Sequence, residues 1–331
     1  MTAIAAHEMP TRTVARRPFK LIPIIGLSLC GLVGIGLGGV YIWRSQPTAP
    51  EAVVAIPWPK APSLVGTEGK LTFQPKNGRG LSPAPDPRLI DPQPPGLLPK
   101  IADDGTRPLE FYARPQAPVS GALADAPRIA ILLTGAGIGQ LATVEAMVKL
   151  PTNVSIALSP YSSDLERQAA DIRSEGHEVL LDLPVRDPDA PLGSAGPHAL
   201  ADGLSIEENQ QRLFWAMGRF PGFFGVSGQF MGRISPNGTA RSALSEIQRR
   251  GLGLIDYPAD DLSIQLDKDL QPKSIDEALQ QLEQKANSRG MAIGVAGTTP
   301  LAIDRLRSWS AALASRGYRL VPVSALLHED G

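Results

Sequence analysis

One residue in 331 is a cysteine, Cys30, and it lies inside an apolar run. No intrachain disulfide can form, and no thiol nucleophile is available elsewhere in the chain. The missing disulfides do not require a reducing compartment, because many exported domains also lack them. Charge is almost balanced, with 32 Lys and Arg against 33 Asp and Glu, a net of -1. The chain therefore lacks the basic excess of a nucleic-acid binder, and no nucleic-acid partner is expected. Histidine is scarce: only His177 and His198 fall in the part predicted to be globular. A zinc centre needs about three protein ligands. No G-x-x-x-x-G-K-[ST] phosphate loop or G-x-S-x-G nucleophile elbow occurs. The run Gly135-x-Gly137-x-Gly139 misses the dinucleotide spacing, and no acid ends the next predicted strand.

What is present begins with a basic tail, residues 1–20, carrying Arg12, Arg16, Arg17 and Lys20 against Glu8. Residues 21–43 hold no charge, and about 23 residues rising 1.5 Å each span the roughly 30 Å core of a bilayer. Tyr41 and Trp43 close this stretch where amphipathic rings favour the interface. It reads as an uncleaved anchor, since the apolar core is longer than a signal peptide's and no small-residue cleavage site follows. The flanking positive charge keeps the tail in the cytoplasm, predicting a single-pass inner-membrane protein with its domain in the periplasm. Residues 44–97 are proline-rich and read as an extended linker. The stretch 98–115 regains apolar and aromatic residues and is predicted to pack on the domain as an arm. Asp103 and Asp104, before Gly105, read as a turn.

From Arg128 the texture becomes regular. Strands are predicted at 128–134, 153–158, 177–183, 223–226, 253–256, 263–266, 291–295 and 319–322. Helices are predicted at 139–149, 163–174, 205–219, 239–250, 274–289 and 300–316. The alternation implies βαβ units and a parallel sheet. Gly176, Gly251, Gly290 and Gly317 stand where left-handed helix C-caps belong. Ser205 with Glu208, and Ser274 with Glu277, read as capping boxes. The fold class is α/β, a distorted (β/α) barrel of roughly seven to eight strands, with an open doubly wound sheet as the alternative.

Strand C-termini form the chemical face of a parallel barrel. The first tip offers Thr134 followed by Gly135, and the fifth Asp256 and Tyr257. The third strand carries His177 at its start and Asp182 near its end, on opposite faces by strand alternation. Tyr161, Trp215 and Tyr257 are ring systems that either pack in the core or stack on a ligand.

The segments Arg128-Ile-Ala-Ile-Leu-Leu, Ile156-Ala-Leu-Ser-Pro-Tyr, Gly176-His-Glu-Val-Leu-Leu, Leu183-Pro, Met231-Gly, Gly251-Leu-Gly-Leu-Ile-Asp and Leu320-Val-Pro-Val-Ser-Ala-Leu occur in this order. Together they resemble the divergent polysaccharide deacetylase family, a branch of the carbohydrate esterases on a distorted (β/α) barrel, over residues 98–327. The resemblance implies metal-assisted removal of acetyl groups from an envelope sugar, a divalent ion polarising the carbonyl and a carboxylate acting as base. Thr134 and Gly135 replace the acids that usually end the first strand. His177 and Glu178 are kept, while Asp182 stands where a later histidine is common. Gln229 and Phe230 replace the usual Asn and His before Met231-Gly232, and Gly294-Val-Ala-Gly replaces a late Gly-His-Pro. Asp256 is retained. A threonine is no base at neutral pH and a phenylalanine binds no metal.

The resulting expectation is a membrane-anchored, deacetylase-like protein that is catalytically degenerate and binds an envelope polysaccharide or an envelope protein. An active metal-dependent deacetylase is the alternative. The expected cleft residues are Thr134, His177, Asp182, Gln229 and Asp256. No cofactor is expected, with a divalent metal such as zinc entering only for a working site.

Overall fold

The computed structural model describes residues 80–327 apart from 117, 192 and 258–260. The basic tail, the anchor expected at 21–43 and the linker through residue 79 lie outside the described residues. Among the described residues no helix is long and apolar enough to cross a membrane.

The described chain opens with a hairpin of β1 (Ile90–Gln93) and β2 (Gly96–Pro99), paired antiparallel. Residues 80–97, read from their prolines as linker, thus include a structured piece of the domain, with Leu81, Leu89, Ile90 and Leu97 buried. Proline is compatible with this because a two-stranded hairpin is all edge, where a ladder donor can be missing. Close packing fixes its seat: a Cβ on Gly96 would run into the carbonyl of Gly218. The short α1 (Pro108–Tyr112) follows and brings Leu109 and Tyr112 into contact with the base of the barrel.

The barrel strands are β3 (Arg128–Ala136), β4 (Val154–Leu158), β5 (Val179–Asp182), β6 (Gly225–Gln229), β7 (Gly253–Tyr257), β8 (Ser263–Gln265), β9 (Met291–Gly297) and β10 (Arg319–Val321). The interleaved helices are α2 (Gln140–Lys149), α3 (Leu165–Ser174), α4 (Ile206–Met217), α5 (Arg241–Arg249), α6 (Pro272–Arg289) and α7 (Pro300–Ala311), with a short α8 (Ser324–Leu327) at the end. Every pair in the large sheet is parallel, in the order β7-β6-β5-β4-β3-β9-β8, with β10 on the first residues of β3. β7 and β8 end this path, so the barrel is nearly closed, and no hydrogen-bonded pair joins them among the described residues. The edge of β8 is covered by the Lys285 ammonium, which donates to the carbonyl of Asp261 at 2.6 Å and lies 3.4 Å from that of Ser263. A lysine there blocks edge-to-edge pairing.

β3 shows why the sheet forms. Ile129, Ile131 and Leu133 point outward onto Leu282, Ile303 and Leu306 of α6 and α7. Ala130 and Leu132 point inward among Leu180, Ile255 and Val295. Both faces are covered, and each fully buried Ile or Leu contributes about 1.5–3 kcal/mol. The predicted C-cap glycines take positive φ: Gly176 99°, Gly251 74°, Gly290 80° and Gly317 86°. Ser205 and Glu208 form the expected capping box. Ser274 does not cap, because Pro272 starts α6 two residues earlier and puts Ser274 inside the first turn.

Candidate functional site

The barrel mouth is built around an irregularity at the tip of β3. Between Leu133 and Ala136 the pairing with β4 shifts, so β3 carries one extra residue. Gly135 absorbs the bulge at φ 67°, a backbone state that costs a glycine little. The bulge turns the Gly135 N–H toward the interior, where it donates to Asp182 Oδ2 at 2.9 Å. Asp182 thus carries a carboxylate from the end of β5 to the first-strand tip, next to Thr134.

Tyr257, at the end of β7, donates its hydroxyl to Asp182 Oδ1 at 3.3 Å. The Thr134 hydroxyl is also within hydrogen-bonding reach of Tyr257, and its Oγ1 lies 3.4 Å from the Ala296 carbonyl. Burial pushes the Asp182 carboxyl up to about 6, against the lowering effect of the Gly135 N–H and the Tyr257 hydroxyl. Burial first, and the Asp182 charge second, also raise the Tyr257 phenol. Near neutrality the pair is a carboxylate and a phenol sharing one proton in a weakly solvated site.

The same layer continues round the barrel. Ser227 is in register with Asp182 on one side and with Ile255, an interior residue, on the other. It therefore faces inward, and its buried Oγ has no hydrogen-bond partner among the described residues. Gln265 is in register with the interior Val295, and its Oε1 is likewise buried without a described partner. Its amide nitrogen donates to Asp267 Oδ1 at 2.5 Å, while Asp267 Oδ2 accepts the Gly297 N–H at 2.7 Å. Gly297 is the register partner of Thr134, so two aspartates are held by backbone N–H groups of the neighbouring strands β3 and β9. Buried polar groups are normally paired, and orphaned ones at a barrel mouth mark a place for a polar ligand or water.

Of the expected cleft residues, only Thr134 and Asp182 meet here. His177 is at the opposite, N-terminal end of the strands, fully buried, its Nδ1 2.7 Å from the Val154 carbonyl and its Nε2 3.1 Å from that of Met147. Burial holds its ring below the usual histidine range. Glu178 is also at the base. It accepts from Ser155 Oγ at 2.6 Å, Ser324 Oγ at 2.5 Å, and the N–H groups of Ser324 and Arg114, each at 3.0 Å. This carboxylate ties the arm and α8 to the barrel. Asp256 lies between the inward-facing Ile255 and Tyr257, so alternation puts its side chain on the outer face. Gln229 is exposed at the end of β6, and Phe230, at φ 69°, packs against the outer core with Met231. Trp215 stacks on His198 with centroids 3.7 Å apart, and Tyr161 lies 5.4 Å from Trp215, so these rings pack on each other.

The donor set at the mouth does not fit a zinc centre. No histidine is among them, Asp182 and Asp267 each accept a hydrogen bond on both oxygens, and the remaining groups are hydroxyls and an amide. Among the described residues no group of three or more His, Cys, Asp or Glu is placed to hold a metal. Sequence reasoning missed Ser227, Gln265 and Asp267, and it weighed Tyr257 only as a stacking ring. Alternation across β6, β7 and β8 was the signal available for the first two and for Tyr257.

The model of the divergent polysaccharide deacetylase family matches residues 131–327. The fold is similar to that of an uncharacterized protein from Agrobacterium tumefaciens C58, with TM-score 0.64 and 30% identity, covering 70% of this chain and 99% of that one. Similarity is lower to a mutant of the peptidoglycan deacetylase PdaC from Bacillus subtilis, with TM-score 0.41 and 18% identity over 61% of this chain and 90% of that chain. It is lower again to a mutant CE4-family pseudoenzyme with restored activity, with TM-score 0.39 and 14% identity over 61% and 68%. No curated protein matches. With a family match over more than half of its length, this chain belongs to the divergent polysaccharide deacetylase family.

Proposed function

We propose that this chain is a membrane-anchored envelope protein whose barrel mouth binds a polysaccharide without deacetylating it. The observation that carries the reading is Asp182, held by the Gly135 N–H and Tyr257 at a tip where Thr134 has replaced the acid. No histidine stands beside it, and the second carboxylate, Asp267, is held by Gln265 and the Gly297 N–H, so this group lacks the imidazole ligands of metal-assisted hydrolysis. The hydroxyls of Thr134, Ser227 and Tyr257, the Gln265 amide and two aspartates suit the many donors and acceptors of a sugar. The uncharged apolar stretch 21–43 and the basic residues before it support an inner-membrane anchor with the barrel in the periplasm.

The test uses the full chain in detergent with N- and O-acetylated glycan fragments, measuring binding by calorimetry and released acetate enzymatically. The expected result is saturable binding that Ser227→Ala and Tyr257→Phe each weaken about tenfold, without acetate release. Acetate production by the unmodified protein, or no binding to any envelope glycan, would overturn the proposal.

A further inference from the structure

Beyond the end of β5 the chain stays extended. The Leu183 N–H donates to the Ser227 carbonyl at 2.7 Å. Val185 then bridges Leu200 in parallel, and the Arg186 N–H donates to the Leu200 carbonyl at 2.9 Å. Leu183, Val185 and Leu200 are all buried in the outer core. Alternation from Asp182 to Arg186 therefore turns both side chains to the other side, toward the mouth. Four extended residues separate them by at most about 13 Å of chain, so Arg186 stands at the rim of the opening in which Asp182 lies deep.

Arg186 is half-buried, and its Nε is enclosed without a hydrogen-bond partner. No carboxylate among the described residues pairs with its guanidinium. The acids near it in sequence are already engaged. Arg233, from the turn after β6, donates to Asp187 Oδ1 at 2.6 Å and to Asp189 Oδ2 at 2.5 Å. This double bridge ties the chain after β5 to the turn after β6 and leaves the Arg186 charge unmatched beside it. Asp182 is taken as well, by the Gly135 N–H and the Tyr257 hydroxyl. A guanidinium is always charged, and withdrawing one from water without an anion is unfavourable. A buried donor left open in a folded chain marks a place that a ligand or water completes.

We propose that the glycan bound at this mouth is acidic, and that Arg186 holds its carboxylate or phosphate at the rim. The inference rests on the glycan reading above and adds the charge of the sugar to it. The planar fork of a guanidinium matches either anion with two parallel hydrogen bonds. Deeper in the mouth the same anion is repelled by Asp182 and Asp267, which backbone N–H groups hold in place. The bound sugar therefore turns its acidic group to the rim and its uncharged hydroxyl and amide groups to Ser227 and Gln265.

The test titrates an acetylated oligouronide, and separately its methyl ester, into the full chain in detergent, read by calorimetry. The two ligands differ in charge at the same carboxyl groups. The unmodified chain is expected to bind the acid at least tenfold more tightly than the ester, with a ratio that shrinks as salt is raised. Arg186→Gln brings the ratio close to one, and Arg186→Lys, which keeps the charge but not the fork, leaves it intermediate. A phosphorylated oligosaccharide and its dephosphorylated parent form a second pair. A preference in that pair alone, abolished by Arg186→Gln, assigns the rim to phosphate. Equal binding within both pairs, or a preference that Arg186→Gln leaves in place, overturns the acidic-sugar inference while the glycan reading stands. No binding of any of the four ligands overturns the glycan reading with it.

Discussion

Replacing Asp182 with asparagine is expected to stabilise the fold near neutral pH. Burial pushes the folded carboxyl up to about 6 from its ordinary 3.8. Between those values the folded state holds more protons than the unfolded one, so stability from this group falls as pH rises and the loss is complete above about 6. At about 1.4 kcal/mol per unit, the ionised group costs at most about 3 kcal/mol. Asparagine keeps the shape and the acceptor for the Gly135 N–H and turns its NH2 to the Tyr257 oxygen, so little packing is lost. At pH 7.5 the Asp182→Asn variant should be more stable by about 1–3 kcal/mol, a rise of roughly 2–4 °C in melting temperature per kcal/mol for a domain of this size. Near pH 4 the two proteins should match. Urea unfolding of both across pH 4 to 8 reads the difference directly, since other titrating groups are common to both. A variant no more stable at pH 7.5, or a difference that does not change with pH, would refute the reasoning. A gain in stability together with lost glycan binding would mark Asp182 as a residue kept for function.

The base of the barrel gives opposite behaviour. His177 has a folded pKa below 6.5, so acidification below that value protonates the unfolded chain first and removes stability; a His177→Gln variant should show a shallower acid limb in the same unfolding series. Glu178→Ala removes the acceptor of four hydrogen bonds in a fully buried site and should cost about 3–5 kcal/mol, and a loss under 1 kcal/mol would contradict its role as a clamp. Gly96→Ala drives a methyl into the Gly218 carbonyl and should cost about 1–3 kcal/mol, seen as faster proteolysis within 90–99.

Much of the barrel is written locally. Arg128–Ala136 is an apolar run ending in glycines, and each C-cap glycine marks where the chain leaves a helix for the next strand. The hairpin at 90–99 was not legible, because Pro92, Pro94, Pro95 and Pro99 also describe a solvated spacer and only contact with Gly218 separates the two. At the mouth, strand alternation already separated His177 from Asp182. The meeting of Asp182 with Tyr257 depends on how β5 and β7 face each other across the interior, a non-local fact. The bulge that aims the Gly135 N–H depends on pairing with β4, which no local pattern records. Asp256 was drawn to the cleft by its place at a strand end, but strand alternation turns its side chain outward beside Tyr257.

The central claim is that the mouth binds without metal-dependent hydrolysis, and it is tested by titrating acetylated glycan into the full chain with saturating zinc and again with chelator, assaying the recovered glycan for lost acetyl groups. The account predicts the same affinity under both conditions and a glycan recovered with every acetyl group in place. Zinc-dependent loss of acetyl groups, abolished by the chelator, would contradict it.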